Sequence, residues 1–181
     1  MKIFGNFMIF LFGMLLISGC TASVNQYGVS VENIESLRKM QSASKVNINT
    51  FTSETIHESI NCRGSITIKT PNDNSFEEYI RNAFISELKL ADLYDSSSSL
   101  TVNGHFEKLD ASSVVGNGKW MFVIKLSADG RESFTVDSEY PFSASWLGDR
   151  ACQQVPQAFS PAVKNLIKDI LNHPKFAAMI R

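Results

Sequence analysis

Three residue types in this chain could do chemistry: thiols, imidazoles and paired carboxylates. The thiols are Cys20, Cys62 and Cys152, and no two of them form the C-x-x-C spacing of a redox pair. The imidazoles of His57, His105 and His173 are scattered singly, with no ligand spacing near a cysteine, so no metal site is predicted. Glu77/Glu78 and Asp92/Asp95 are adjacent acids, but they read as helix-face and helix-end charges rather than as a general acid and base. Serines are abundant, yet no G-x-S-x-G elbow is present. Gly64 and the Gly116-Asn117-Gly118 stretch are turn glycines and do not make a phosphate loop. The reading is therefore of a chain that is not an enzyme and takes no cofactor.

The elements that place these residues begin with the first twenty. Lys2 gives a positive start, and Ile3–Ile17 is nearly all apolar, broken by Gly5, Asn6 and Gly13. That length suits the apolar core of a secretory signal and is short for a membrane span. The run closes on Ile17-Ser18-Gly19-Cys20, which resembles the bacterial lipobox. The alternatives are an ordinary cleaved signal with a chance cysteine, or an uncleaved anchor. The resemblance implies that residues 1–19 are a signal peptide, and that Cys20 becomes the first mature residue. It also implies a diacylglyceryl group on the Cys20 thiol and, usually, an acyl chain such as palmitate on the new amine. Each buried methylene adds about 0.8 kcal/mol, so two or three chains hold firmly where one is marginal. In Gram-negative lipoproteins an aspartate after the cysteine tends to retain the protein at the inner membrane. Thr21 stands there instead. The resemblance thus implies an outer-membrane lipoprotein facing the periplasm, with a Gram-positive or surface-exposed lipoprotein as the alternative.

Lipidation of Cys20 would leave Cys62 and Cys152 in an oxidising compartment, where a disulfide between them is the simplest pairing. It would close a loop of about 90 residues, for which the chain-entropy model gives roughly 4–5 kcal/mol at most. The alternative is two buried free thiols.

Charge selects no partner. The chain carries 17 basic and 18 acidic residues, and loss of Lys2 makes it one unit more negative. It lacks the basic excess that nucleic acid requires. Residues 20–44 are polar without a sustained period and read as a lipidated tether, in which Val31, Ile34 and Leu37 could form a short helix. Residues 45–181 are long enough for one domain with its own core.

Within that domain, Val46 and Ile48 alternate with asparagines, which predicts a strand over Lys45–Thr52. Ile66 and Ile68 predict a second strand over Cys62–Lys69. Ser75 and Glu78 make a capping box for a helix whose apolar stripe includes Phe76, Tyr79, Ile80, Ala83, Phe84 and Leu88. Burial of such a stripe contributes ~1.5–3 kcal/mol per large side chain. Leu100–Leu109, Trp120–Ser127 and Glu132–Ser145 read as an antiparallel meander. Asp110–Lys119 is predicted as a long loop, Asp129-Gly130 as a tight turn, and Pro141 as the mark of an edge. Trp146–Gln157 is predicted as a loop carrying Cys152, followed by a helix that starts at Ser160-Pro161. Trp120, at a strand start, and Trp146, in a loop, are the two aromatic candidates for a partner anchor, against packing.

This order predicts an α+β two-layer sandwich, a mostly antiparallel sheet with two amphipathic helices on one face. With the lipobox, and with FEEYIRNAFISELKLADLY and PAVKNLIKDILNHPKF, the architecture resembles small Gram-negative envelope lipoproteins. These include the YajG type, the auxiliary lipoproteins of ABC-type lipid transport systems and the lipoprotein partner of the lipopolysaccharide translocon. The resemblance implies a non-enzymatic scaffold or accessory subunit of an envelope assembly or transport complex, with envelope proteins as partners. The alternative is a periplasmic module that binds lipid or glycan in a cavity between helices and sheet.

Overall fold

The computed structural model describes residues 20–40 and 42–181, and of Cys20 only the backbone. The signal peptide assigned to residues 1–19 lies outside the described residues. Four strands form the main sheet in the order β2-β5-β6-β7: β2 (Asn47–Ser53), β5 (Thr101–Val114), β6 (Asn117–Ala128) and β7 (Phe134–Phe142). Strands β5, β6 and β7 are the antiparallel meander, and β2 joins β5 in parallel. A parallel pair requires a crossover, and the helix α2 (Phe76–Leu90) supplies it. The second long helix, α3 (Gly148–Asn172), packs beside it on the same face. The fold is thus an α+β two-layer sandwich.

Alternation in β6 explains the core. Trp120, Phe122, Ile124 and Leu126 are fully buried beneath the helices, while Lys125 between them is exposed. On α2, Ser75 Oγ accepts from Glu78 N–H at 3.1 Å, so the Ser75 half of the predicted capping box is in place. Phe76 and Phe159 bring the helices onto Trp120, with ring centroids 5.0 Å apart for Phe76–Phe159 and 4.6 Å for Trp120–Phe159. The indole N–H donates to Val155 O at 3.0 Å, which satisfies the one polar group this burial would orphan.

Four expectations are corrected. The first is the tether. Residues 21–40 fold onto the domain: β1 (Cys20–Ser23) pairs in parallel with β4 (Ile66–Lys69), and α1 (Val31–Arg38) packs against α2 and α3. Val24 and Leu37 reach the core, and Asn33 Nδ2 donates to Lys164 O at 3.1 Å. The segment is polar because only one face of a two-turn helix is buried there.

The second concerns residues 62–69, which form a hairpin rather than one strand. Here β3 (Ile60–Cys62) turns through Arg63 and Gly64, both at positive φ, into β4. With β1 they make a separate three-stranded sheet.

The third is the long loop over Asp110–Lys119, which is instead paired strand. Val114 faces Asn117 across a two-residue turn at Val115-Gly116, with Gly116 at φ 81°. Gly118 belongs to the ladder because the Phe142 ring lies where a Cβ would sit, 2.3 Å from that position.

The fourth is the start of α3. It begins at Gly148 and runs through Pro156 and Pro161. Each interior proline costs about 3 kcal/mol, a cost offset by burial of Ala151, Cys152, Val155, Ala158 and Phe159. Cys152 is bonded to Cys62, S–S 2.04 Å, which fastens α3 to the small sheet.

Candidate functional site

Two acids on α2 are buried, although their types favour exposure. Glu77 and Glu87 fall in step with Ile80 and Phe84 along the apolar stripe, and both are fully buried. Glu77 is not the helix-face charge read from the sequence. Its Oε1 accepts from Ser53 Oγ at 2.7 Å and pairs with His57 Nδ1 at 2.6 Å, and the His57 backbone N–H lies 3.2 Å from both oxygens. Burial pushes this carboxyl's pKa up, but the hydrogen bonds from His57, Ser53 and backbone N–H groups outweigh it, so the pKa is held below the usual value. An ionised Glu77 can only accept, so Nδ1 of His57 carries the proton.

His57 lines one wall of an open cleft of about 650 Å³. Ser53, Asn61, His105, Lys108 and Asp110 line other parts of it. A bulge shapes the cleft: Phe106 faces Ile124 and Lys108 faces Val123, so Glu107 is the extra residue of β5. His105 Nδ1 lies 2.9 Å from Thr52 Oγ1. The structure therefore brings together His57 and His105, which stand far apart in the sequence, in a polar, hydrogen-bonding cleft. His173 lies elsewhere, stacked on Phe134 at 4.3 Å. No group of three His, Cys, Asp or Glu side chains is placed to hold a metal among the described residues.

Glu87 performs a different task. Its Oε1 accepts from the Tyr27 hydroxyl and from Ser30 N–H at 2.9 Å, while Oε2 is buried without a partner among the described residues. Burial first, and the bond to Glu87 second, raise the Tyr27 phenol well above its ordinary value. Tyr79, pushed up to about 12 by burial, donates to Asn25 O at 2.7 Å. Glu87 and Tyr79 thus clamp residues 25–30 to α2. Of the adjacent acids, Asp92 pairs with Lys45 at 2.6 Å and Asp95 accepts from Ser97 N–H and Oγ. The signal that betrays Glu77 and Glu87 in the sequence is their phase, since each sits three residues from an apolar stripe position.

The remaining candidates are at one end of the molecule. Trp120 is core, whereas Trp146 is 74% exposed. Val114 and Val115, at the β5–β6 turn, are also exposed, as is Leu147. Gly116 N–H donates to Ala144 O at 3.0 Å, which brings the turn against the chain leading to Trp146. No helix among the described residues is long and apolar enough to cross a membrane.

Compared with protein-family models the chain matches none, and it matches no curated protein. Among solved structures it is similar to protein XCC0632 from Xanthomonas campestris, of family DUF330. The TM-score is 0.60 at 10% identity, over 87% of this chain and 96% of that one. The likeness is one of fold.

Proposed function

We propose that this protein is an outer-membrane lipoprotein facing the periplasm, anchored through Cys20, that serves as a non-enzymatic scaffold or accessory subunit of an envelope assembly or transport complex. One observation carries the reading: the residue that closes the lipobox is also the first residue of β1. The folded domain would then start at the anchor, with no spacer to let it roam. β7 is an edge of the main sheet, with Pro141 near its end, and offers backbone groups for strand addition by a partner. The space between helices and sheet, where a lipid was to bind in the competing reading, is occupied by Phe76, Trp120, Phe122 and Phe159.

Metabolic labelling with palmitate is the first test. Label should enter the wild type and be absent from Cys20→Ala, and the wild type should fractionate with outer membranes. Crosslinking in cells should then recover the same envelope proteins with the tagged chain and, reciprocally, the chain with them. Absence of label removes the anchor. Purification from membranes without a partner, joined to a deletion that leaves the envelope intact, removes the scaffold.

The polar cleft favours a second reading, a module for glycan or another hydroxyl-rich ligand, since His57, Asn61 and Asp110 supply donors and acceptors. Chemical-shift changes in the two cleft histidines on titration with peptidoglycan fragments would support it, and unchanged shifts would remove it.

A further inference from the structure

We infer that the end of the molecule carrying Val114, Val115, Trp146 and Leu147 lies in the lipid headgroup layer, so that the domain is seated on the bilayer as well as tethered to it. The inference deepens the proposed function and rests on the reading of Cys20 as the acylated residue. It is argued from where the chain emerges.

Cys20 pairs with Ile66, and Ile66 pairs with Cys62. Each step is one strand spacing, about 4.8 Å. Cys62 Sγ lies 3.6 Å from Ser113 Oγ, and Val114 is the next residue. The Arg63 guanidinium closes the same junction. Its Nε donates to Ser113 Oγ at 3.1 Å and Nη2 to Ser113 O, and Nη1 lies 3.7 Å from where a Cβ on Gly148 would sit. The anchor, the 63–65 turn, the β5–β6 turn and the start of α3 therefore share one end. β1 runs away from that end, since Ser23 pairs with Lys69 at the far end of β4.

Among the described residues, eight large apolar side chains are exposed, and half of them gather here. An isolated exposed valine needs no explanation, but a tryptophan with three aliphatic neighbours beside an acyl anchor does. Tryptophan is the residue that settles at the membrane–water interface, because its ring is apolar and its N–H keeps a polar partner. The Trp120 indole N–H has Val155 O as its partner, whereas Trp146 is 74% exposed and so within reach of lipid phosphates and carbonyls. The occupant of this surface is thus the bilayer that holds the anchor.

The two tryptophans make the test. Full-length lipidated protein is reconstituted into vesicles of phosphatidylethanolamine and phosphatidylglycerol, with and without brominated acyl chains. Mass spectrometry of the N-terminal peptide reports the acyl groups on Cys20. Trp146 should emit to the blue of its position in detergent-free Cys20→Ala protein, and brominated lipid should quench it. Trp146→Phe should abolish the quenching, because the remaining Trp120 is sealed in the core. Val115→Asp should weaken the quenching while leaving Trp120 emission and the melting temperature unchanged. Acylated protein whose Trp146 is neither shifted nor quenched would overturn the seating while keeping the anchor. An unacylated Cys20 would overturn both.

Discussion

Trp120 is fully buried and Trp146 is 74% exposed, although both lie on the path from the β5–β6 turn to α3. Trp120 stands in a strand whose alternate residues all face the helices, so its ring meets Phe76, Phe122 and Phe159 and its N–H meets a backbone carbonyl. Trp146 lies two residues before α3, outside any ladder, and is left exposed. The difference teaches that aromatic content alone does not locate a core in this chain. What locates it is a periodic element whose other members are apolar and in phase.

Substitutions should separate these two regions by size of effect. Trp120→Ala should produce the largest loss, about 3–5 kcal/mol, since it empties the aromatic cluster and removes the hydrogen bond to Val155 O. A fall in the urea midpoint would show it, and an unchanged midpoint would mean that the cluster does not hold the fold together. Removing the cross-link with Cys62→Ala and Cys152→Ala together should cost about 2–4 kcal/mol, read in the same unfolding experiment without reductant. Wild type treated with reductant should approach the double variant. Glu77→Gln should cost about 1–3 kcal/mol at neutral pH, because the hydrogen bonds to an ionised acceptor weaken. Its pH dependence has a fixed sign. The folded-state pKa of Glu77 is depressed, so its stabilisation is complete above the ordinary value of 4.5 and is lost as pH falls through the lower folded value. The variant should lack that acid-side decline, and parallel acid profiles would show that Glu77 is not the group responsible. Smallest of all, Trp146→Ser should change stability by no more than about 0.5 kcal/mol, because nothing buried is removed. A larger loss would break the contrast with Trp120.

Much of the fold was legible where one signal was repeated. The α2 stripe and its Ser75 cap agree, and the β6 alternation stands without a contrary residue. Legibility failed where a strong local signal opposed a weak periodic one. In α3 the apolar spacing continues in phase from Ala151 through Phe159 to Ile170, yet two prolines and a glycine argue for a loop. Burial decided the matter, aided by the bond at Cys152. At residues 110–119, serine and glycine composition suggested a loop, while the ladder needed only backbone groups and room for the Phe142 ring. Polar composition likewise concealed that residues 20–40 join the domain: Val31, Ile34 and Leu37 mark the short helix α1, but the clamp by Glu87 and Tyr79 on the residues before it leaves no periodic signal. The His57–Glu77 pair was not legible as a pair. Its partners meet only because the chain between β2 and β3 folds back across the first turn of α2.

The route from Cys20 into the molecule also has a mechanical meaning. β1 is an edge strand whose ladder is with β4, and β4 is held to β3 by a further ladder. From β3 onward the path becomes covalent, through Cys62 to Cys152 and so into the helix layer. A pull on an acylated N-terminus would first load four residue pairs of β1 and then two further strands. Beyond them it would be shared through a bond that does not slip. The weakest member under tension is thus β1 itself, which could be stripped from its neighbour while the rest of the domain kept its shape.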